Sequence, residues 1–300
     1  MVTLEHPRRA RGDATLQDAA SSLRLDACGL SEAGQVREHN EDRFLVDAVH
    51  GLAAVADGMG GHLAGGLASS RTLAALVESV GAPSDPGAGA CANAQAHDPD
   101  ATEIDLRLHS AVRLRRAVLH ANTLLFQENR ARGQADGKGM GSTLTGLQLL
   151  PALGAIVSFH VGDSRLYRLR DGVLVQLTRD HSAYQLALES GATGELPPPN
   201  LLLQAIGPAP EVAPDVVCHA VQANDLFLLC SDGLHGWVPH ARIAQALAGA
   251  TDLRDACAEL LGLARRYASR DNVTALLARV AVDAPAKKID GCASEAPGPA

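Results

Sequence analysis

Acidic residues at the ends of short apolar runs carry most of the chemical content of this chain. They occur in Asn40-Glu41-Asp42, Asp57-Gly58-Met59-Gly60-Gly61-His62, Val161-Gly162-Asp163-Ser164-Arg165, Ser231-Asp232-Gly233 and Arg270-Asp271-Asn272. Each neighbouring run reads as a β-strand, and acids at strand ends lie in one plane when their strands share a sheet. Carboxylates gathered without matching Lys or Arg repel one another. Hard divalent cations, which take oxygen ligands, relieve that repulsion. The pattern points to a metal-dependent enzyme that uses Mg²⁺ or Mn²⁺.

Asp57 follows the apolar run Leu52–Ala56. The glycines after it let the backbone bend sharply and bring a carbonyl close to a cation. The Asp57 carboxylate can bridge two cations, with the Gly58 carbonyl as a further ligand. Taken alone, a DGxGG string is equally a turn. Asp232 ends the run Leu226–Cys230, Asp271 precedes Val273–Leu277, and Asp163 lies between Ile156–His160 and Arg165–Tyr167. Each of these, alone, is an ordinary turn acid, with Asp163 read as the acid of a hairpin. The order and spacing of the whole set carry the specificity. In Arg37-Glu38-His39-Asn40-Glu41-Asp42 the bland reading is a solvated polar loop. The functional one gives Arg37 a bidentate grip on a dianion such as phosphate. Glu41 and Asp42 then support the cations directly or through waters.

These acids need a scaffold, and the chain supplies strands and helices in blocks. Strands are expected over Leu23–Gly29, Arg43–Ala48, Leu52–Ala56, Ser142–Leu150, Gly154–His160, Arg165–Leu169, Val173–Leu177, Val216–Val221, Asp225–Cys230 and Val273–Val280. His50-Gly51 and Asp171-Gly172 read as hairpin turns. Helices are expected over His62–Val80, Ile104–Arg132, Ala183–Glu189, Pro239–Ala248 and Leu253–Ser269. In the longest, Leu106, Val112, Val118, Leu119, Leu125 and Phe126 recur near helical spacing. Hairpin-linked strands alternating with helix pairs imply an α+β layered sandwich of antiparallel sheets covered by helices.

The chain has 300 residues, 46% of them hydrophobic, which is enough for a substantial core. The formal net charge is -8 and the scattered Lys and Arg form no nucleic-acid footprint. No apolar run reaches the ~18 residues of a membrane span, and residues 1–20 lack the apolar core of a secretory signal. A cytoplasmic location is expected. The cysteines at 28, 91, 218, 230, 257 and 292 show neither CxxC nor Cys/His pairing. They read as reduced, buried thiols, and a zinc site is not expected. Residues 1–22 are expected to be a disordered N-terminal extension and 283–300 a disordered tail. Residues 23–282 would be the folded domain, with a surface loop over about 81–103 and a flap over about 182–207.

The ordered set RxxNED, DGMGGH, GST at Gly141–Thr143, VGDSR, TxDH at Thr178–His181, SDG and RDN resembles the metal-dependent serine/threonine protein phosphatases of type 2C, in their bacterial branch. The resemblance runs from about Leu23 to Val280. It implies a four-layer α-β-β-α sandwich, two antiparallel β-sheets flanked by helices, with a two-metal centre at one edge. By matching position, Asp57 resembles the bridging ligand, Gly58 the carbonyl ligand, and Asp232 and Asp271 the remaining ligands of the first metal. Glu41 resembles the acid that holds the second metal through water, and Asp42 its close support. Asp163 with Asp232 resembles the pair that binds a third, weaker metal. Arg37 resembles the phosphate-binding arginine. The catalytic set is then Arg37, Asp57 and Asp232. The implied cofactors are Mn²⁺ or Mg²⁺, two bound tightly and a third more weakly. The implied partners are phosphorylated protein substrates and a cognate Ser/Thr kinase, in a signalling role, with the chain a monomer.

The chain departs from the pattern in places. Met59 stands where many eukaryotic members carry a His as candidate general acid, and a thioether donates no proton. His62 is a weak alternative. The flap segment Ser190–Gly207 is short and contains Pro197-Pro198-Pro199. Gln204 stands where the family usually has an Arg before Ala-Leu-Gly; here Ala205-Ile206-Gly207 follow. The flap departures bear on substrate choice and not on the chemistry. Phosphate monoesters are inert enough that enzymes accelerate their hydrolysis by up to ~10²¹-fold. The sequence has no Cys-x5-Arg pattern for a phosphocysteine route, so direct attack by metal-activated water is expected, with Arg37 positioning the phosphate. A silent phosphoprotein-binding module of the same fold would lack one or more metal acids, and none is missing. A nuclease or phosphodiesterase would want a basic groove.

Overall fold

A computed structural model describes residues 23–60, 64–82 and 99–282. His62, the N-terminal extension, the tail and most of the expected 81–103 loop lie outside those residues. In chain order the strands are β1 (Leu23–Glu32), β2 (Arg43–Asp47), β3 (Leu52–Ala56), β4 (Gly58–Met59), β5 (Gly141–Ser142), β6 (Leu144–Leu150), β7 (Ala155–Val161), β8 (Arg165–Arg170), β9 (Val173–Gln176), β10 (Asp215–Ala220), β11 (Leu226–Cys230) and β12 (Val273–Val282). The helices are α1 (Ala64–Gly81), α2 (Pro99–Ala131), α3 (Ala183–Glu189), α4 (Asp232–His235), α5 (His240–Ala248) and α6 (Leu253–Arg266).

The strands form two five-stranded sheets, ordered β1-β12-β11-β8-β9 and β10-β7-β6-β3-β2, with β4 and β5 as a separate pair. Every pairing is antiparallel. Strand periodicity sorts the side chains into three cores. In β3, Ala53 and Val55 face the other sheet, while Leu52, Ala54 and Ala56 face α1 and α2. In β11, Phe227 and Leu229 enter the same inter-sheet core, while Leu226 and Leu228 pack on the C-terminal helices with Leu260 and Leu263. Both strands are buried on both faces, so they read as continuous apolar runs without alternation. Three cores between four layers make the expected α-β-β-α sandwich.

Several boundaries differ from the sequence reading. The helix α2 begins at Pro99, within the stretch read as loop; a proline at the first helical position gives up only an amide with no partner inside the helix. Leu106 and Val112, which fit the helical spacing, are exposed, and the buried face is Leu114, Ala117, Val118, Ala121 and Leu125. The expected strand Ser142–Leu150 divides, because Gly141–Ser142 pairs with Gly58–Met59 while Leu144–Leu150 enters the sheet. Asp163 is not a hairpin acid: β7 and β8 lie in different sheets, so Asp163 sits where the chain crosses between them. Cys28, Cys218, Cys230 and Cys257 are free thiols, and Cys218 is exposed where burial was expected.

Candidate active site

One end of the sandwich gathers the acids. Asp57 leaves β3, Asp163 leaves β7, Asp232 follows β11 at the start of α4, and Asp271 precedes β12. These strands come from both sheets, so their ends meet over the inter-sheet core. A half-open cavity of about 260 Å³ is lined there by Arg37, Glu41, Asp57, Gly58, Asp163, Asp232 and Asp271. Met59, Thr143, Asn200 and Leu202 complete much of its wall.

Close backbone approach makes the floor. A Cβ on Gly58 would lie 1.9 Å from the Gly65 carbonyl oxygen, and one on Gly65 would lie 2.7 Å from Glu41 Oε1. Only glycine at both positions lets the DGMG turn, the first turn of α1 and the Glu41 carboxylate meet. The Gly65 amide donates to Glu41 Oε1 at 3.1 Å, so the helix N-terminus holds this acid. The Asp57 amide donates to Thr143 Oγ1 at 2.9 Å and the Thr143 amide to the Asp57 carbonyl at 2.8 Å. The backbone of Asp57 is thereby anchored while its carboxylate is left to the cavity.

Asp42 lies behind this wall, fully buried. Its Oδ2 accepts from Ser231 Oγ at 2.6 Å and from Thr274 Oγ1 at 2.8 Å. Thr274 in turn accepts from Ser31, which accepts from Asn40 Nδ2, so a relay of donors ends on Asp42. Its Oδ1 is buried with no hydrogen-bond partner. Burial pushes Asp42 up to about 6, against the pull of the Ser231 and Thr274 hydroxyls. Burial, then the charges of Asp42, Asp232, Asp163 and Asp271, hold Asp57 well above the usual carboxylate range. Burial, with Asp163, Asp271 and Asp42 adding to it, raises Asp232 to about 8. Burial and the nearby Asp180 raise Asp163 to about 6. The protein alone therefore leaves these carboxylates short of positive charge.

The residues fit hard cations. Every side-chain donor among the acids is oxygen, the Asp42 Oδ1 lone pairs are unspent, and the carboxylates repel in the absence of a counter-charge. Among the described residues, no three His, Cys, Asp or Glu side chains are gathered tightly enough to clasp an ion unaided. The acids ring an open cavity instead, which suits ions that keep several waters. Arg37 is the cation at the rim. Its Nη2 donates to Asp271 Oδ2 at 2.8 Å, and that bond raises its pKa. Arg37, proposed for phosphate, and Asp271, proposed for metal, thus form one ion pair here.

Sequence reasoning assigned no work to several side chains that build the site. Asn272 is the chief one. Its Oδ1 accepts from the Glu41 amide at 2.9 Å, and its Nδ2 donates to the carbonyls of Ala33 at 3.1 Å and His39 at 2.9 Å. It ties the Arg37–Asp42 loop to the start of β12. Gln204 is bound into the loop by the Ala213 amide, which donates to its Oε1 at 2.8 Å. Asn200 and Leu202 bring the flap to the cavity wall.

Comparison with known proteins places this sandwich, whose acids converge over the inter-sheet core, in a family. The pattern of the family described as Protein phosphatase 2C matches residues 33–278. The chain belongs to that family. The serine/threonine protein phosphatase PstP of Mycobacterium tuberculosis is 34% identical over 270 residues, covering 87% of this chain but 46% of PstP. The chain thus spans about half the length of that relative. The serine/threonine phosphatase stp of Listeria innocua is 32% identical over 255 residues, covering 82% of this chain and 92% of stp. A crystal structure of the PstP catalytic domain in complex with 2 manganese ions superposes with a TM-score of 0.69 at 31% identity, covering 86% of this chain and 99% of that one.

Proposed function

We propose that this chain is a protein serine/threonine phosphatase that hydrolyses phosphoserine and phosphothreonine on proteins. The observation that carries the proposal is the ring of Glu41, Asp57, Asp163, Asp232 and Asp271 around one solvent-reached cavity with Arg37 at its rim. Asp57, Asp232 and Asp271, with the Gly58 carbonyl and Glu41, would hold a pair of Mn²⁺ or Mg²⁺ ions. When bound, such ions lower the pKa of a water and neutralise phosphoryl oxygens. Asp42 backs Asp57 from the buried side and fixes the wall through the Ser231 and Thr274 hydroxyls. Asp163 and Asp232 are proposed to take a third, weaker ion.

Arg37 orients the phosphoryl group. A guanidinium that already reaches Asp271 can present its remaining N–H groups to phosphate oxygens in a fixed plane. Met59 lines the cavity and carries no proton to give; an ion held by Asp163 and Asp232 would supply an acidic water for the leaving group. Residues 23–282 are proposed as the catalytic unit, acting as a monomer in the cytoplasm against a Ser/Thr kinase. No helix among the described residues is long and apolar enough to cross a membrane. The test is phosphate release from a phosphothreonine peptide and from bis(p-nitrophenyl) phosphate, each with Mn²⁺. The reading requires turnover of the first and little of the second; a preference for the diester would make it a phosphodiesterase.

A further inference from the structure

We infer that His181 is a positioning residue that joins two walls of the active site, the Gly162-Asp163 turn and the root of the flap. The inference rests on the phosphatase reading for the role of Asp163 and concerns a residue to which that reading gives no task. His181 is 4% exposed, and both its main chain and its ring are hydrogen-bonded. Its amide donates to the Gly162 carbonyl at 2.7 Å, and the Gly162 amide donates back to His181 Nδ1 at 3.3 Å. Gly162 has φ +107°, a left-handed conformation that a Cβ could not share with Thr143, whose Cγ2 would lie 2.6 Å away. The next residue is Asp163, in the cavity. The two bonds to His181 therefore set the backbone from which that acid projects.

The other side of His181 is the flap. The Leu203 amide donates to the His181 carbonyl at 2.8 Å, and the Ala183 amide to the Leu201 carbonyl at 2.8 Å, around a bridge of Ser182 with Leu202. This short antiparallel clasp closes the base of the flap and places Leu202 and Asn200 against the cavity. Because Nδ1 accepts, the ring proton belongs on Nε2, which faces Asp215 Oδ2 at 3.3 Å. The ring of His160 packs at 4.7 Å with its Nε2 on the Arg179 carbonyl, fixing the segment before the clasp. The imidazole thus braces the acid-bearing turn, and the main-chain carbonyl of the same residue carries the substrate-facing wall.

Supporting side chains behind catalytic acids commonly cost 10–100-fold when lost. Two variants separate acceptor from bulk. His181→Asn keeps an oxygen near the place of Nδ1, and His181→Leu fills the space without an acceptor. Hydrogen exchange of peptides covering 160–166 and 198–206 is measured without metal and with Mn²⁺, beside kcat and KM on a phosphothreonine peptide. The expected result is faster exchange in 160–166 and a kcat lower by about tenfold for His181→Leu, with both restored by His181→Asn, while 198–206, bonded to the His181 main chain, exchanges as in the wild type. The inference is overturned if His181→Leu folds with exchange and kcat unchanged, or if His181→Asn is as impaired as His181→Leu. If His181→Leu does not fold, His181→Asn alone decides, since it must then match the wild type. Exchange needs no turnover, so this outcome stands apart from whether the chain cleaves phosphopeptides.

Discussion

Neutralising Asp232 should make the metal-free protein more stable while removing its response to metal. In the folded chain Asp232 is raised from 3.8 to about 8 by burial and by Asp163, Asp271 and Asp42. A folded pKa above the unfolded one gives a contribution that is whole below the unfolded value and lost as pH rises through the folded one. Metal-free wild type should therefore lose stability between pH 6 and pH 8.5. At ~1.36 kcal/mol per unit, the full shift would set an upper bound of roughly 6 kcal/mol. The cavity is open to water and its carboxylates share protons, so about 2 kcal/mol is the expected gain of Asp232→Asn at pH 8. That is roughly 5 °C in melting temperature for a domain of this size. Mn²⁺ at ~100 times its Kd should stabilise the wild type by about 2.7 kcal/mol and the variant far less. The assay is thermal unfolding at pH 6 and 8.5, with chelator and with Mn²⁺. An Asp232→Asn protein less stable than wild type when metal-free at pH 8.5, or stabilised equally by Mn²⁺, would refute the reasoning.

Further outcomes follow from the same geometry. Arg37→Ala should raise KM for a phosphopeptide more than it shifts the Mn²⁺ titration; the reverse order would assign Arg37 to the metal site through its Asp271 contact. Asp163→Ala should lower kcat on phosphothreonine peptide while calorimetry still shows two-site Mn²⁺ binding, and an unchanged kcat would remove Asp163 from the mechanism. Asn272→Ala deletes three hydrogen bonds, two of them to the Arg37–Asp42 loop, and should cost about 3 kcal/mol in urea unfolding. A loss below about 0.5 kcal/mol would show that water replaces those bonds.

The layered fold was legible because apolar runs doubly buried in two sheets, such as Leu52–Ala56 and Leu226–Cys230, stand out in sequence. The acids were legible for the same reason, since each sits where such a run ends. The supports were not. Ser231 and Thr274 reach Asp42 across |i−j| of 189 and 232, and nothing local marks a serine or threonine as a carboxylate's partner. Asn272 resembled an ordinary turn residue until the fold brought the Glu41 amide to it. The two-residue pair Gly58–Met59 with Gly141–Ser142 is too short to show a period. Asp163 looked like a hairpin acid because sequence cannot tell a hairpin from a crossing between sheets. Leu106 and Val112 fit a helical period yet face solvent, because the period does not say how far the partner layer extends.

The proposed function requires that the acids converging at the sheet ends, Asp57 among them, would hold cations that activate water for hydrolysis of a phosphate monoester. Phosphate release from a phosphothreonine peptide, followed against Mn²⁺ concentration for the wild type and for Asp57→Asn, tests it most directly. Release should depend on Mn²⁺, stop with chelator, and be lost in a folded Asp57→Asn protein at every Mn²⁺ concentration. Turnover that survives chelation, or an Asp57→Asn protein that follows the wild-type titration, would contradict it.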